Sequence, residues 1–110
     1  MTHHAIHIES TAAFDKILES AGSQPVIADF YANWCPPCMM FKPAFEAMAQ
    51  EFEGKAIFVK IDVDAQPQIS AKYGIECMPT FICFKNSIKQ GEPVQGASEQ
   101  LVRQLVLSNL

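Results

Sequence analysis

The chain has 110 residues, 49% of them hydrophobic and 18% charged, with eight basic against twelve acidic side chains for a net charge of -4. That length and composition fit one folded domain over residues 1–110 with its own core, and they exclude a disordered chain. With no long basic run, neither nucleic acid nor membrane is expected as a partner, and no apolar run approaches the roughly 18 residues of a spanning helix. The opening "MTHHAIHIES" lacks a basic stretch followed by an apolar one, so the expected location is cytoplasmic, where resting structural disulfides are rare.

In chain order, residues 5–8 read as a short strand. Ser10 or Thr11 caps a helix reaching about residue 20, with Phe14, Ile17, Leu18 and Ala21 on one face and Gly22 as its stop. "PVIADFYA", from Pro25, is a nearly continuous apolar run with one acid inside it, the pattern of a strand covered by helices on both faces. From Pro36 or Pro37 to about Phe52 the period turns helical, with Phe41, Phe45, Met48, Ala49 and Phe52 recurring at three and four. Prolines suit first helical positions, where an N–H has no partner to lose; Pro43 lies deeper and predicts a kink. Gly54 stops this helix.

"AIFVKIDVD" is a second buried strand, and "AQPQISAKYG" a short helix ending at Gly74. "TFICF" after Pro79 is a strand, "KNS" a turn, and residues 91–94 an edge strand, since Pro93 cannot serve a central ladder. Ser98 opens the last helix, with Leu101, Val102, Leu105 and Val106 as its inward stripe. The order βαβαβα followed by ββα predicts an α/β fold, a parallel half joined to an antiparallel half.

The chemistry concentrates in "FYANWCPPCMM", residues 30–40. A Cys-x-x-Cys pair at a helix start places its first sulfur near free N–H groups and the positive end of the helix dipole, which favours thiolate over thiol. Cys35 is therefore the expected nucleophile and Cys38, one turn further in, the resolving thiol of a disulfide exchange. A zinc site would need two more ligands, and Cys77 and Cys83, six apart, do not form a knuckle. Two inert core cysteines are the remaining alternative.

"DFYANWCPPC", followed by "KP", "KIDVD", "YGIECMPTF" and "FKN", resembles the thioredoxin family over essentially the whole chain. The resemblance implies a central five-stranded mixed sheet flanked by four helices. It also implies reduction of protein disulfides through a redox-active Cys35–Cys38 pair, with no cofactor or metal bound. Electrons would come from NADPH through a flavoprotein thioredoxin reductase, in keeping with the lack here of a G-x-G-x-x-G dinucleotide motif. Clients of the family include peroxiredoxins, ribonucleotide reductase and methionine sulfoxide reductase.

By the same resemblance Asp29 is a buried acid that accepts the Cys38 proton, and Lys60 lies near it and tunes its pKa. Pro79 is a cis-proline facing the cysteines, and Trp34, Ile75, Met78, Gly96 and Ala97 form the substrate-docking surface. Pro37 matches the family's proline, while Pro36 replaces a glycine and removes an N–H beside the reactive sulfur. Tyr31 stands where bacterial members often carry tryptophan, Met39 where a basic residue is common, and Ser87 where glycine is frequent. The segment before Gly96 is one residue longer than usual, which predicts a bulge near Pro93.

Cys77 precedes Met78-Pro79, as in animal members, and is a candidate for a regulatory intermolecular disulfide; otherwise a monomer is expected. Cys83 reads as a small core hydrophobe. The alternative functions are a glutaredoxin-like reductase, a disulfide isomerase or oxidase, and a non-catalytic binding protein of the same fold. The absence of a histidine between the cysteines favours a reductant over the oxidising members.

Overall fold

The computed structural model describes residues 4–110. Among them are five strands and four helices: β1 Ile6–His7, α1 Thr11–Ala21, β2 Val26–Tyr31, α2 Pro36–Glu51, β3 Ile57–Asp62, α3 Pro67–Lys72, β4 Thr80–Lys85, β5 Ile88–Gln95 and α4 Glu99–Leu107. They build one mixed sheet in the order β1-β3-β2-β4-β5. β1, β3 and β2 run parallel, and β4 and β5 add to them antiparallel. This is the five-stranded, four-helix fold expected from the sequence.

Period-two alternation sorts the strand residues onto two faces. Ile27 on β2, Phe58 on β3, and Phe81 and Cys83 on β4 pack with Phe41, Phe45 and Met48 of α2 and Val102, Leu105 and Val106 of α4. Val26, Ala28, Phe30, Val59, Ile61, Ile82 and Phe84 face the other way, onto Phe14 and Leu18 of α1 and Ile69 of α3. Every residue of β2 is buried, which is why its sequence reads as a continuous apolar run rather than an alternating one. Losing one of the central rings, such as Phe45, removes roughly 3–5 kcal/mol.

The helices begin where their chemistry allows. Ser10 Oγ accepts from the Ala13 N–H at 3.0 Å and Ser98 Oγ from the Leu101 N–H at 3.2 Å, each capping its helix. α2 runs through Pro43, which has no N–H to give to the Met39 carbonyl.

Two expectations need correction. Leu101 is exposed, so the inward stripe of α4 is Val102, Leu105 and Val106 alone. The edge strand spans Ile88–Gln95 rather than residues 91–94. Pro93 is accommodated as anticipated, because the β4–β5 register slips between Phe81 and Cys83: Phe81 pairs with Val94 but Cys83 with Gln90. Ile82 thus faces three residues, Gly91 to Pro93, and the bulge takes the proline out of the ladder.

Candidate active site

The site forms where β2 ends and α2 begins, at the carboxyl end of a central strand. Cys35 has extended backbone angles and is the N-cap of α2. It is disulfide-bonded to Cys38, with Cα atoms 5.3 Å apart. Its Sγ accepts the Cys38 backbone N–H at 3.3 Å. Pro36 and Pro37 occupy the first helical positions and have no N–H to offer, so Cys38 supplies the helix-terminal donor that reaches the sulfur. Both cysteines are buried. Tyr31, Ala32, Met39, Val63 and Met78 pack around them.

Across the disulfide lies the Met78–Pro79 segment, whose peptide bond is cis. The Met78 carbonyl oxygen is 3.7 Å from Cys35 Sγ, while the Pro79 ring is buried. Gly96 N–H donates to the Pro79 carbonyl at 2.8 Å and ties the β5–α4 loop to the same place. Gly96 sits at φ 98°, in the left-handed region that favours glycine, so this tie depends on the missing side chain. Ala97, next to it, is exposed.

Trp34 is 67% exposed beside the buried sulfurs, and its Nε1–H donates to Asp64 Oδ2 at 2.8 Å. Asp62 holds the same corner together, accepting from Asn33 Nδ2 at 3.2 Å and from the Asp64 N–H at 2.9 Å. Sequence reasoning missed Asp62 and Asp64, although "KIDVD" contained the signal: two acids at a strand exit opposite an Asn-Trp pair. Ile75 packs half-buried against the core on the α1/α3 side.

On β2, two residues before Tyr31, Asp29 is 3% exposed and its Oδ1 has no hydrogen-bond partner within the protein. Burial pushes its carboxyl up to about 7, against a smaller lowering by the Lys60 ammonium. Asp29 pairs in register with Lys60 on β3 and with Phe81 on β4. Lys60 Nζ lies 5.3 Å from the centre of the Tyr31 ring. Burial, then the neighbouring Lys42, pulls the Lys60 ammonium down, while Glu46 and Asp29 hold it up. Sequence reasoning had not placed Tyr31 in this group.

The other two cysteines are separate. Cys83 is buried in β4, and its thiol is pushed up to about 11 by that burial, as suits a core residue. Cys77 is an exposed free thiol, 3.8 Å from Thr80 Oγ1. Among the described residues there is no cluster of three or more potential metal ligands, and no helix is long and apolar enough to cross a membrane.

A buried Cys-x-x-Cys disulfide at a helix N-terminus is equipped to exchange two electrons with another disulfide. Comparison with known proteins agrees. Residues 5–106 match the thioredoxin family model. The chain is 44% identical over 93 residues to thioredoxin of Oryctolagus cuniculus, covering 84% of this chain and 87% of that one. It is 41% identical over 103 residues to the H-type thioredoxin of Chlamydomonas reinhardtii, covering 92% and 90%. The solved structure of the reduced Schistosoma mansoni thioredoxin pre-protein superposes with a TM-score of 0.90 at 36% identity, over 96% of this chain and 98% of that one. On its sequence, its fold and its cysteine pair, the chain belongs to the thioredoxin family and is a thiol–disulfide oxidoreductase.

Proposed function

We propose that the whole chain works as a single domain in the cytoplasm, reducing disulfides of protein clients. The observation that carries this reading is the Cys35–Cys38 disulfide at the start of α2, supported by a buried, partnerless Asp29 on the preceding strand and an exposed Trp34 next to Cys35 in the chain. In the reduced protein the Cys35 thiolate attacks one sulfur of a client disulfide. A Cys35–client mixed disulfide forms, and the other client sulfur leaves as a thiolate. Cys38 then gives its proton to Asp29 and attacks Cys35 Sγ. The second client sulfur departs, takes up a proton, and the Cys35–Cys38 disulfide returns. Two electrons have passed from the protein dithiol to the client.

Asp29 suits this step because burial places its pKa at about 7, where it can accept a proton and release it again near neutral pH. Lys60 tunes that acid. A client strand docks along the Met78 backbone beside cis-Pro79, with Trp34, Ile75, Gly96 and Ala97 around it. Pairing of this kind reads backbone more than side chains and admits many clients. Peroxiredoxins, ribonucleotide reductase and methionine sulfoxide reductase are the client classes that the family implies. The chain acts in electron transport by being re-reduced with NADPH through a flavoprotein thioredoxin reductase, and holds no cofactor of its own. It works as a monomer, with Cys77 exposed and able to link two copies on oxidation.

Insulin reduction by dithiothreitol tests the reading: the protein accelerates it and Cys35→Ser abolishes the acceleration, whereas no acceleration by the wild type contradicts it. Equilibration against glutathione fixes the direction. A potential near the thioredoxin value of about -270 mV marks a reductant, and one near -120 mV an oxidant.

A further inference from the structure

A groove of about 440 Å³ opens along the first turns of α2, lined by Pro36, Pro37, Met40, Phe41, Ala44, Ala97 and Glu99. Its walls come from α2 and from the start of α4, and six of its seven lining residues are apolar. Met40 is 81% exposed, the most exposed large apolar side chain among the described residues. Glu99 is the one charged group in the lining. Its carboxylate lies 3.9 Å from Arg103, whose guanidinium is engaged more closely by Glu51 at 2.6 Å. The Glu99 side chain is 59% exposed and open to another cation.

On the opposite flank, the corner behind Trp34 carries Asp62 and Asp64. Met39, directly after Cys38, adds no positive charge and packs against the disulfide. Lys42 lies away from the groove, close enough to Lys60 to depress its pKa on the β3 side of α2. The rim around the sulfurs is therefore apolar and acidic.

We propose that this groove is a specificity subsite for the client polypeptide itself, receiving a bulky apolar side chain close to the reacting cysteine and a lysine or arginine on Glu99. The inference rests on the reductase reading above, because Pro36 of the lining follows Cys35 in the chain and Ala97 follows Gly96, whose N–H is tied to the Pro79 carbonyl. In an extended strand alternate side chains share a face, and residues rise about 3.3 Å each. Alternate client residues beyond the cysteine are the ones that would meet the apolar walls and, further along, Glu99. The chemistry is the same two-electron exchange; the subsite changes which disulfides it favours.

The test uses the full chain, reduced by dithiothreitol, and peptide disulfides of the symmetric pattern Arg-x-Leu-x-Cys-x-Leu-x-Arg, so that strand direction does not matter. The second substrate is a small disulfide too short to enter the groove, 5,5′-dithiobis(2-nitrobenzoic acid). Replacing both leucines of the peptide with alanine lowers kcat/KM roughly tenfold. Met40→Asp lowers the peptide-to-small-disulfide rate ratio by a similar factor, through KM. Glu99→Lys reverses the order of Arg and Glu versions of the peptide, each preference being about threefold. An unchanged rate ratio in Met40→Asp, or the same Arg preference in Glu99→Lys, overturns the subsite. A wild-type protein that reduces neither substrate overturns the reductase reading and the subsite with it.

Discussion

Asp29 and Lys60 stand opposite each other on the parallel strands β2 and β3. They share the sheet face on which Ile27, Phe58 and Phe81 meet helix α2. Each is a charged residue in a position that alternation assigns to the core. A buried acid beside a half-buried base imposes on the molecule a pH dependence that a purely apolar core would lack.

The first consequence concerns stability. Asp29 is pushed up to about 7 in the folded protein from an ordinary value of 3.8, so between these values the folded state holds a proton that the unfolded chain has lost. Stability therefore falls as pH rises through that window, by an amount that at 1.4 kcal/mol per unit comes to roughly 4 kcal/mol. Asp29→Asn removes this loss. Urea unfolding of the oxidised variant is expected to show a nearly flat profile from pH 5 to 8, with a gain of about 2–4 kcal/mol over wild type at pH 8. An equally steep profile in the variant would assign the slope to other groups.

Lys60 acts in the opposite sense on the same acid. Its ammonium lowers the Asp29 pKa, so Lys60→Met moves the midpoint above 7. The resolving step, followed at pH 7 as release of client from the mixed disulfide, slows by about twofold or more, and its pH profile shifts alkaline. Carbon-detected NMR titration of the Asp29 carboxyl reads the shift directly. A midpoint that stays in place or falls would remove Lys60 from the site.

Pro36 stiffens the loop rather than depriving the sulfur of a donor. The N–H that reaches Cys35 Sγ belongs to Cys38, and an N-cap side chain bonds the second or third helical position, not the first that Pro36 occupies. Pro36→Gly should leave the rate of Cys35 alkylation by iodoacetamide at pH 7 within about twofold. It should lower stability by about 0.5–1 kcal/mol through the freer unfolded chain. An alkylation rate changed tenfold would show that the residue-36 N–H matters to the thiolate.

The β4–β5 turn carries strain that one substitution relieves. Asn86 and Ser87 both have left-handed backbone angles, φ 54° and 65°, where a two-residue hairpin turn prefers glycine. Ser87→Gly should raise stability by about 1 kcal/mol, and Ser87→Val should lower it by at least as much. Thermal unfolding of the pair measures both; a destabilised glycine variant would contradict the turn assignment.

The helices and central strands were legible because their apolar periods are long and their boundaries carry Ser, Pro and Gly signals. Leu101 misled because helical spacing places it beside Val102 and Leu105, whereas α4 meets the core only through Val102, Leu105 and Val106. The edge strand was read short because Gly91 and Pro93 look like loop residues; the bulge that hides them is a property of pairing with β4 and has no local sequence period.

At the site, Cys35, Cys38, Pro37 and Pro79 announce themselves by motif. Tyr31 and Asp64 do not, since their contacts join residues 29 and 30 positions apart in the chain. The placement of Lys60 over the Tyr31 ring exists only once β2 and β3 pair. Met40 and Glu99 form one groove only when α2 and α4 pack side by side.

The division of labour between the cysteines is tested most directly by trapping. Reduced Cys38→Ser protein, mixed with a client carrying one disulfide and examined by mass spectrometry, is expected to accumulate a one-to-one mixed disulfide through Cys35. Cys35→Ser is expected to give none. An adduct formed through Cys38, or one formed equally by both variants, would contradict the assignment of Cys35 as nucleophile and Cys38 as the resolving thiol.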